Sequence, residues 1–175
     1  KKTIRRAQAI QPYGPGAILD WGQECFVVMA AKGSGWKRKI SLERLENYLG
    51  VLDGFRLPPL VSRGRRDIGI DTQRFPSWLF CPSCRRMTQW NRDKEVDAKG
   101  NLPKCGNGSC NEVILVPMRY IAACENGHLA DIDWWRWAHS TKSADSGQCD
   151  RANKQLRFEI ASEKGASLEG LRIKC

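Results

Sequence analysis

The sequence predicts an α+β protein of small mixed strands and short helices with an embedded zinc ribbon. Two short-spaced thiol pairs, Cys81-Pro-Ser-Cys84 and Cys105-Gly-Asn-Gly-Ser-Cys110, stand twenty residues apart. The apolar runs around them are short and partly β-branched, which suits strands better than long helices. At 175 residues, of which 41% are hydrophobic, the chain can bury only a modest core. Too apolar for a disordered basic tail, it also lacks the run of about 20 apolar residues that a membrane-spanning helix needs. Three regions follow from the pattern. Residues 1–74 form a basic N-terminal α/β segment, 75–122 the ribbon, and 123–175 a helix plus β-hairpin that reads as part of a second zinc-binding module cut short.

Taken in order, residues 11–16 form a turn rich in Pro and Gly, and Ala17–Asp20 starts a short strand or helix. Cys25–Ala31 is apolar and short, a buried strand. After the Gly33-Ser34-Gly35 turn, Ser41 heads an amphipathic helix. Ser41 is its expected cap, Leu42, Leu45 and Leu49 its apolar face, and Gly50 its stop. Phe55–Pro59 must be extended because proline excludes helix, and residues 61–74 read as an exposed basic loop. Phe75–Phe80 and Val113–Met118 are strand-like segments flanking the cysteines. Leu129–His139 reads as a short helix, with Asp131 and Asp133 at its positive end. Leu156–Ile160 and Leu171–Cys175 alternate cleanly and form two strands about a turn near residues 165–170.

Charge narrows the partners. The chain carries 29 Lys and Arg against 19 Asp and Glu, a net +10, and most of that excess falls in residues 1–80. Basic clusters at Lys1–Arg6, at Lys37, Arg38 and Lys39, and at Arg63, Arg65 and Arg66 lie beside Gly or Ser, hence in loops or at element ends. Each is a solubilising loop when taken singly. If several converge on one face they become phosphate contacts, the last two clusters are the candidate DNA-binding residues, and an autonomous nucleic-acid-binding module that needs no partner is one alternative reading. No apolar stretch follows the basic first residues, so the expectation is a cytoplasmic protein that is not exported and has no membrane partner.

The cysteine block is the strongest chemical signal. Each close pair can offer two thiolates to one ion, and the twenty residues between the pairs leave room for a β-hairpin. Tetrahedral zinc closed by Cys81, Cys84, Cys105 and Cys110 fits that arrangement. Gly106 and Gly108 would supply positive-φ turns that aim backbone N–H groups at sulfur. A disulfide framework needs an oxidising compartment, and no βαβ context supports a redox dithiol. Cys25 lies within an apolar strand and reads as a small core residue. Cys124 and His128 form a Cys-x3-His pair that Cys149 and Cys175 could complete as a second zinc site. Alternatively, Asn126-Gly127 is a turn and these cysteines fill the core. Ending at Cys175, where the first half of a zinc knuckle would start, the chain reads as a piece of a longer protein.

Catalysis is not favoured. There is no phosphate-binding loop for ATP hydrolysis. His128, Asp131 and Asp133 could hold a catalytic metal for DNA processing, but on a helix residue 133 points away from the other two. Trp134, Trp135 and Trp137 cover most of a helix circumference, and core packing is the default use for them.

An ordered set of motifs points further. Arg5-Arg6-Ala7-Gln8 leads into Pro12-Tyr13-Gly14-Pro15-Gly16, followed by Phe55-Arg56-Leu57-Pro58-Pro59 and Arg74-Phe75-Pro76-Ser77-Trp78 before the first cysteine pair. Then come Ala123-Cys124-Glu125-Asn126-Gly127-His128-Leu129 and Trp134 with Trp137 and His139. In that order, over nearly the whole chain, they resemble the N-terminal part of the DrmB family, the helicase-associated component of the DISARM bacterial anti-phage system. The resemblance implies a non-catalytic subunit that binds a DrmA-type helicase, which would supply ATP hydrolysis, and engages DNA within that complex. It supports Cys81, Cys84, Cys105 and Cys110 as zinc ligands, and Cys149 and Cys175 with Cys124 or His128 as candidates for a second site.

Overall fold

The computed structural model describes residues 5–30, 38–57, 70–140, 155–161 and 168–175. The chain is α+β and divides into two compact units, Lys1–Trp21 with Cys25–Arg74, and Gly22–Glu24 with Phe75–Cys175.

In the first unit, strands β1 (Ile18–Trp21), β2 (Glu24–Val28) and β5 (Thr72–Arg74) form a sheet in the order β1-β2-β5. Strand β2 is the apolar run centred on Cys25–Val28, and it pairs antiparallel with β5 in the register Phe26↔Arg74. Arg74 belongs to the stretch read from sequence as an exposed basic loop. It is instead buried, with its guanidinium 4.8 Å from the Phe26 ring centroid; the aromatic face gives the cation a favourable partner away from water. Strands β3 (Lys39–Ile40) and β4 (Phe55–Arg56) pair antiparallel around helix α1 (Glu43–Leu49). The cap of α1 differs from the expectation. Leu42 occupies the capping position and has no acceptor of its own, so the Glu46 carboxylate reaches back to its N–H at 2.7 Å and meets the Ser41 hydroxyl at 3.4 Å. Gly50 ends the helix at φ 66°, a left-handed stop that glycine adopts without strain.

The second unit is built on the sheet β7-β6-β8, with β6 (Trp78–Phe80) between β7 (Met87–Gln89) and β8 (Val116–Pro117). Alternation along β6 gives the sheet two faces. Trp78 and Phe80 enter one cluster with Met87, Met118, Trp134, Leu156, Phe158, Leu171 and Ile173. Leu79 and Cys81 enter the other, with Cys105, Cys110 and Leu115. Helix α2 (Arg92–Ala98) occupies the stretch between the cysteine pairs where a hairpin was expected, its N-terminus capped by the Asn91 side chain on Lys94 N.

A hairpin of β9 (Ala122–Ala123) and β10 (Leu129–Ala130) precedes α3 (Trp134–Ala138). The predicted helix over 129–139 is therefore strand at its start. Asp131 does not sit in the first turn of α3; both its carboxylate oxygens accept from Ser77 N, at 3.0 and 3.1 Å. Asp133 caps α3 by accepting from Arg136 N. Strands β11 (Arg157–Ile160) and β12 (Leu171–Lys174) form the predicted antiparallel pair. An Arg86↔Arg157 bridge, with Met87 N donating to Leu156 O and Phe158 N to Arg85 O, joins this hairpin to the β7 side of the sheet.

Candidate metal centre

Two turns bring four sulfurs together. The first closes the β6–β7 connection: Cys81 N donates to Arg86 O and Arg85 N to Cys81 O, both at 2.9 Å, with Arg85 held at φ 63°. The second lies between a Lys104↔Ile114 bridge and a short 3-10 turn, Gly108–Cys110. Cys105 N donates to Val113 O at 2.8 Å, and Cys110 N to Asn107 O at 2.9 Å. The left-handed residues here are Asn111 and Glu112, not Gly106 or Gly108 as expected. The 3-10 turn ends at Cys110, and the chain reverses immediately after it; asparagine tolerates that conformation better than most residues.

The four Sγ atoms of Cys81, Cys84, Cys105 and Cys110 lie within 4.8 Å of one another. Cys81 and Cys110 are 3.9 Å apart and Cys84 and Cys105 3.8 Å, well beyond the roughly 2.05 Å of a disulfide. Four sulfurs about 2.3 Å from a central ion form a tetrahedron with edges of about 3.8 Å. The sulfurs therefore fit a metal ion. All four vertices are protein sulfurs, so such an ion would have no open coordination position.

Electrostatics around the sulfurs are uneven. Burial pushes the Cys84 thiol up, but the Arg86 N–H, the Cys110 and Cys81 thiols and the Asn107 side chain outweigh it and lower the value to about 6. Burial, together with the neighbouring thiols and against the Asn107 N–H, pushes Cys105 up to about 12. Cys110 is also raised, first by its contact with Cys84 and then by burial. Backbone N–H groups thus do point at sulfur, but they belong to Arg86 and Asn107. Sequence reasoning missed both; the signal was the position of each, two residues after a cysteine, where a tight turn directs its amide back at the thiol. It also missed Trp90, which packs against the cluster with Nε1 donating to Glu95 at 2.8 Å.

Of the second candidate site, the described residues bring two ligands together. Cys124 Sγ and His128 Nδ1 approach to 3.3 Å across the turn joining β9 and β10, where Cys124 N donates to His128 O and Gly127 takes φ 78°. Cys149 lies outside the described residues. Among the described residues the four-cysteine group is the only cluster of three or more potential ligands, so Cys175 does not join Cys124 and His128. Nor do His128, Asp131 and Asp133 form a metal site, because each is engaged separately. Cys25 is half-buried in β2, and burial followed by the nearby Asp20 charge raises its thiol, as suits an inert packing residue.

Of the candidate DNA-binding residues, Arg38 and Lys39 are exposed. Lys39 pairs with Asp53, which also meets Arg56 at 3.0 Å, and these two cations hold the Asp53 carboxyl below its ordinary value. Lys37, Arg63, Arg65 and Arg66 lie outside the described residues. No described helix is long and apolar enough to cross a membrane.

The comparison with curated proteins gives no match. A family model matches residues 5–175, spanning both units and the whole cysteine centre. The chain belongs to the family described as a domain of unknown function, DUF8724.

Proposed function

We propose that this chain is a non-catalytic, zinc-binding scaffold subunit that partners a DrmA-type helicase/ATPase in binding DNA for anti-phage defence in the bacterial cytoplasm. The observation that carries the zinc-scaffold part of this reading is the closed quartet of Cys81, Cys84, Cys105 and Cys110 with its tetrahedral sulfur spacing. Four soft thiolates in that geometry select zinc over harder cations, and a site with four protein ligands is structural rather than catalytic. Zinc there would tie the β6–β7 turn to the Cys105–Cys110 turn and so fix the ribbon sheet. With the ion bound to four thiolates the site carries two negative charges, which brings the working net charge to about +8. The partner and the DNA role rest on the resemblance of the motif order to the DrmB family.

A metal-dependent nuclease built on His128, Asp131 and Asp133 finds no support in their separate engagements. Co-purification with the helicase partner, followed by DNA binding with and without it, tests the reading. The expected result is a stable complex whose DNA affinity exceeds that of either component. If the subunits do not associate, the scaffold role fails. DNA cleavage with added Mg²⁺ that is lost in Asp131→Ala would replace it with an enzyme.

A further inference from the structure

We infer that the outer face of the β11–β12 hairpin, together with Arg86 bridged to it just before β7, is a nucleic-acid backbone contact in the second unit, made by Arg86, Arg157, Arg172 and Lys174. The inference rests on the reading that DNA is a partner of this chain and adds the surface that meets it. Register puts these residues on one face. Arg86 bridges Arg157, and Arg157 stands directly opposite Lys174, so three cations line up across three successively paired positions. Arg172 follows on the same face, opposite Glu159. The other face of the same strands carries the buried residues Met87, Phe158, Leu171 and Ile173.

Like charges directly opposite each other destabilise a sheet, and acidic neighbours relieve this row only in part. Glu159 pairs diagonally with Lys174 at 2.7 Å. Arg86, Arg157 and Arg172 have no acidic partner among the described residues. Even if Arg86 offsets the negative four-thiolate centre beside it in sequence, the described part of this face still holds Arg157, Arg172 and Lys174 against the single carboxylate of Glu159. Such an arrangement is relieved by an anion that spans several cations at once. Strands lie about 4.8 Å apart, so the row covers about 10 Å, long enough to meet more than one backbone phosphate and longer than a single carboxylate.

Between polyanions, the composition of the face favours nucleic acid over an acidic protein. Protein interfaces are anchored by aromatic or aliphatic side chains at a desolvated centre, whereas DNA-contacting surfaces are polar and strongly positive. The residues here are Arg86, Thr88, Arg157, Glu159, Arg172 and Lys174, with no apolar anchor among them. Arginine predominates, and its planar fork suits bidentate phosphate contact.

The test uses the whole 175-residue chain with a fluorescein-labelled DNA duplex and the matching single strand, titrated over a salt series with and without the helicase partner. Arg157→Ala with Arg172→Ala is expected to weaken binding about tenfold or more and to lower the salt slope by about two, one for each phosphate that the variant no longer neutralises. Arg157→Lys with Arg172→Lys should retain most of the affinity, and equal melting temperatures would show that both variants fold. If the wild type binds DNA and the Ala pair leaves affinity and slope unchanged, this face is overturned while the DNA reading stands. If the wild type binds neither DNA under either condition, the DNA reading fails and this surface with it. Unchanged DNA binding with loss of the helicase partner in the Ala pair would reassign the face to a protein contact.

Discussion

Cys84 and Cys105 sit 3.8 Å apart and hold their protons very differently, at about 6 and about 12. Without metal, the quartet at neutral pH concentrates its negative charge on Cys84, and the neighbouring thiols donate toward it. Metal binding requires all four sulfurs as thiolates, so an entering ion must displace the protons of Cys105 and of Cys110, which is also raised. The sign follows directly: protons are released on binding, so affinity rises with pH and falls on acidification. Competition against a chromophoric chelator at several pH values should show that trend, and a flat profile would mean the four thiols are not displaced together. In metal-free protein, Cys84 should be alkylated by iodoacetamide well before Cys105, as peptide mapping would read. Metal should protect both.

At the scale of elements, β6 links the two halves of the second unit because its alternating residues serve two clusters. Trp78 and Phe80 reach the core, and Leu79 and Cys81 reach the metal centre. Phe158 lies 4.8 Å from Phe80 by ring centroid and is buried at 1% exposure. Phe158→Ala should therefore cost about 3–5 kcal/mol in urea unfolding. Asp131 holds the segment entering β6 through two bonds to a single backbone N–H. Asp131→Ala should cost about 1–3 kcal/mol by leaving Ser77 N unpaired, with metal content unchanged. Metal loss in that variant would show that Asp131 supports the centre itself.

Legibility tracks sequence separation at this scale. The β11–β12 hairpin and the two cysteine turns are readable because alternation and close thiol spacing are local patterns. Helix α2 is also locally encoded, by Asn91 with Asp93 and Glu95 in the first turn, but the spacing of the thiol pairs fits a hairpin equally well. The β9–β10 hairpin competes with an apolar run of helical character. Its turn is local, with Gly127 at φ 78°, but Asp131 just after it accepts from Ser77 N, 54 residues earlier, a pairing that no window along the chain contains.

Across the whole molecule, eight cysteines and a net +10 take on different meanings once placed. Four cysteines form one centre, Cys25 packs in β2, and Cys124 meets His128 at a hairpin turn. The positive charge is divided as well. Lys39 and Arg74 each have a local partner, whereas Arg157 and Arg172 crowd one sheet face. Overall charge alone could not distinguish these, because ion pairing depends on register. In the proposed role, one zinc held by Cys81, Cys84, Cys105 and Cys110 organises the second unit. Native mass spectrometry of the purified chain reads metal stoichiometry and compactness in the same spectrum. The expected spectrum shows the mass of one bound zinc with a narrow, low charge-state distribution, and a strong chelator should convert it to the metal-free mass with a broader, higher one. A metal-free chain that keeps the narrow distribution would contradict that role.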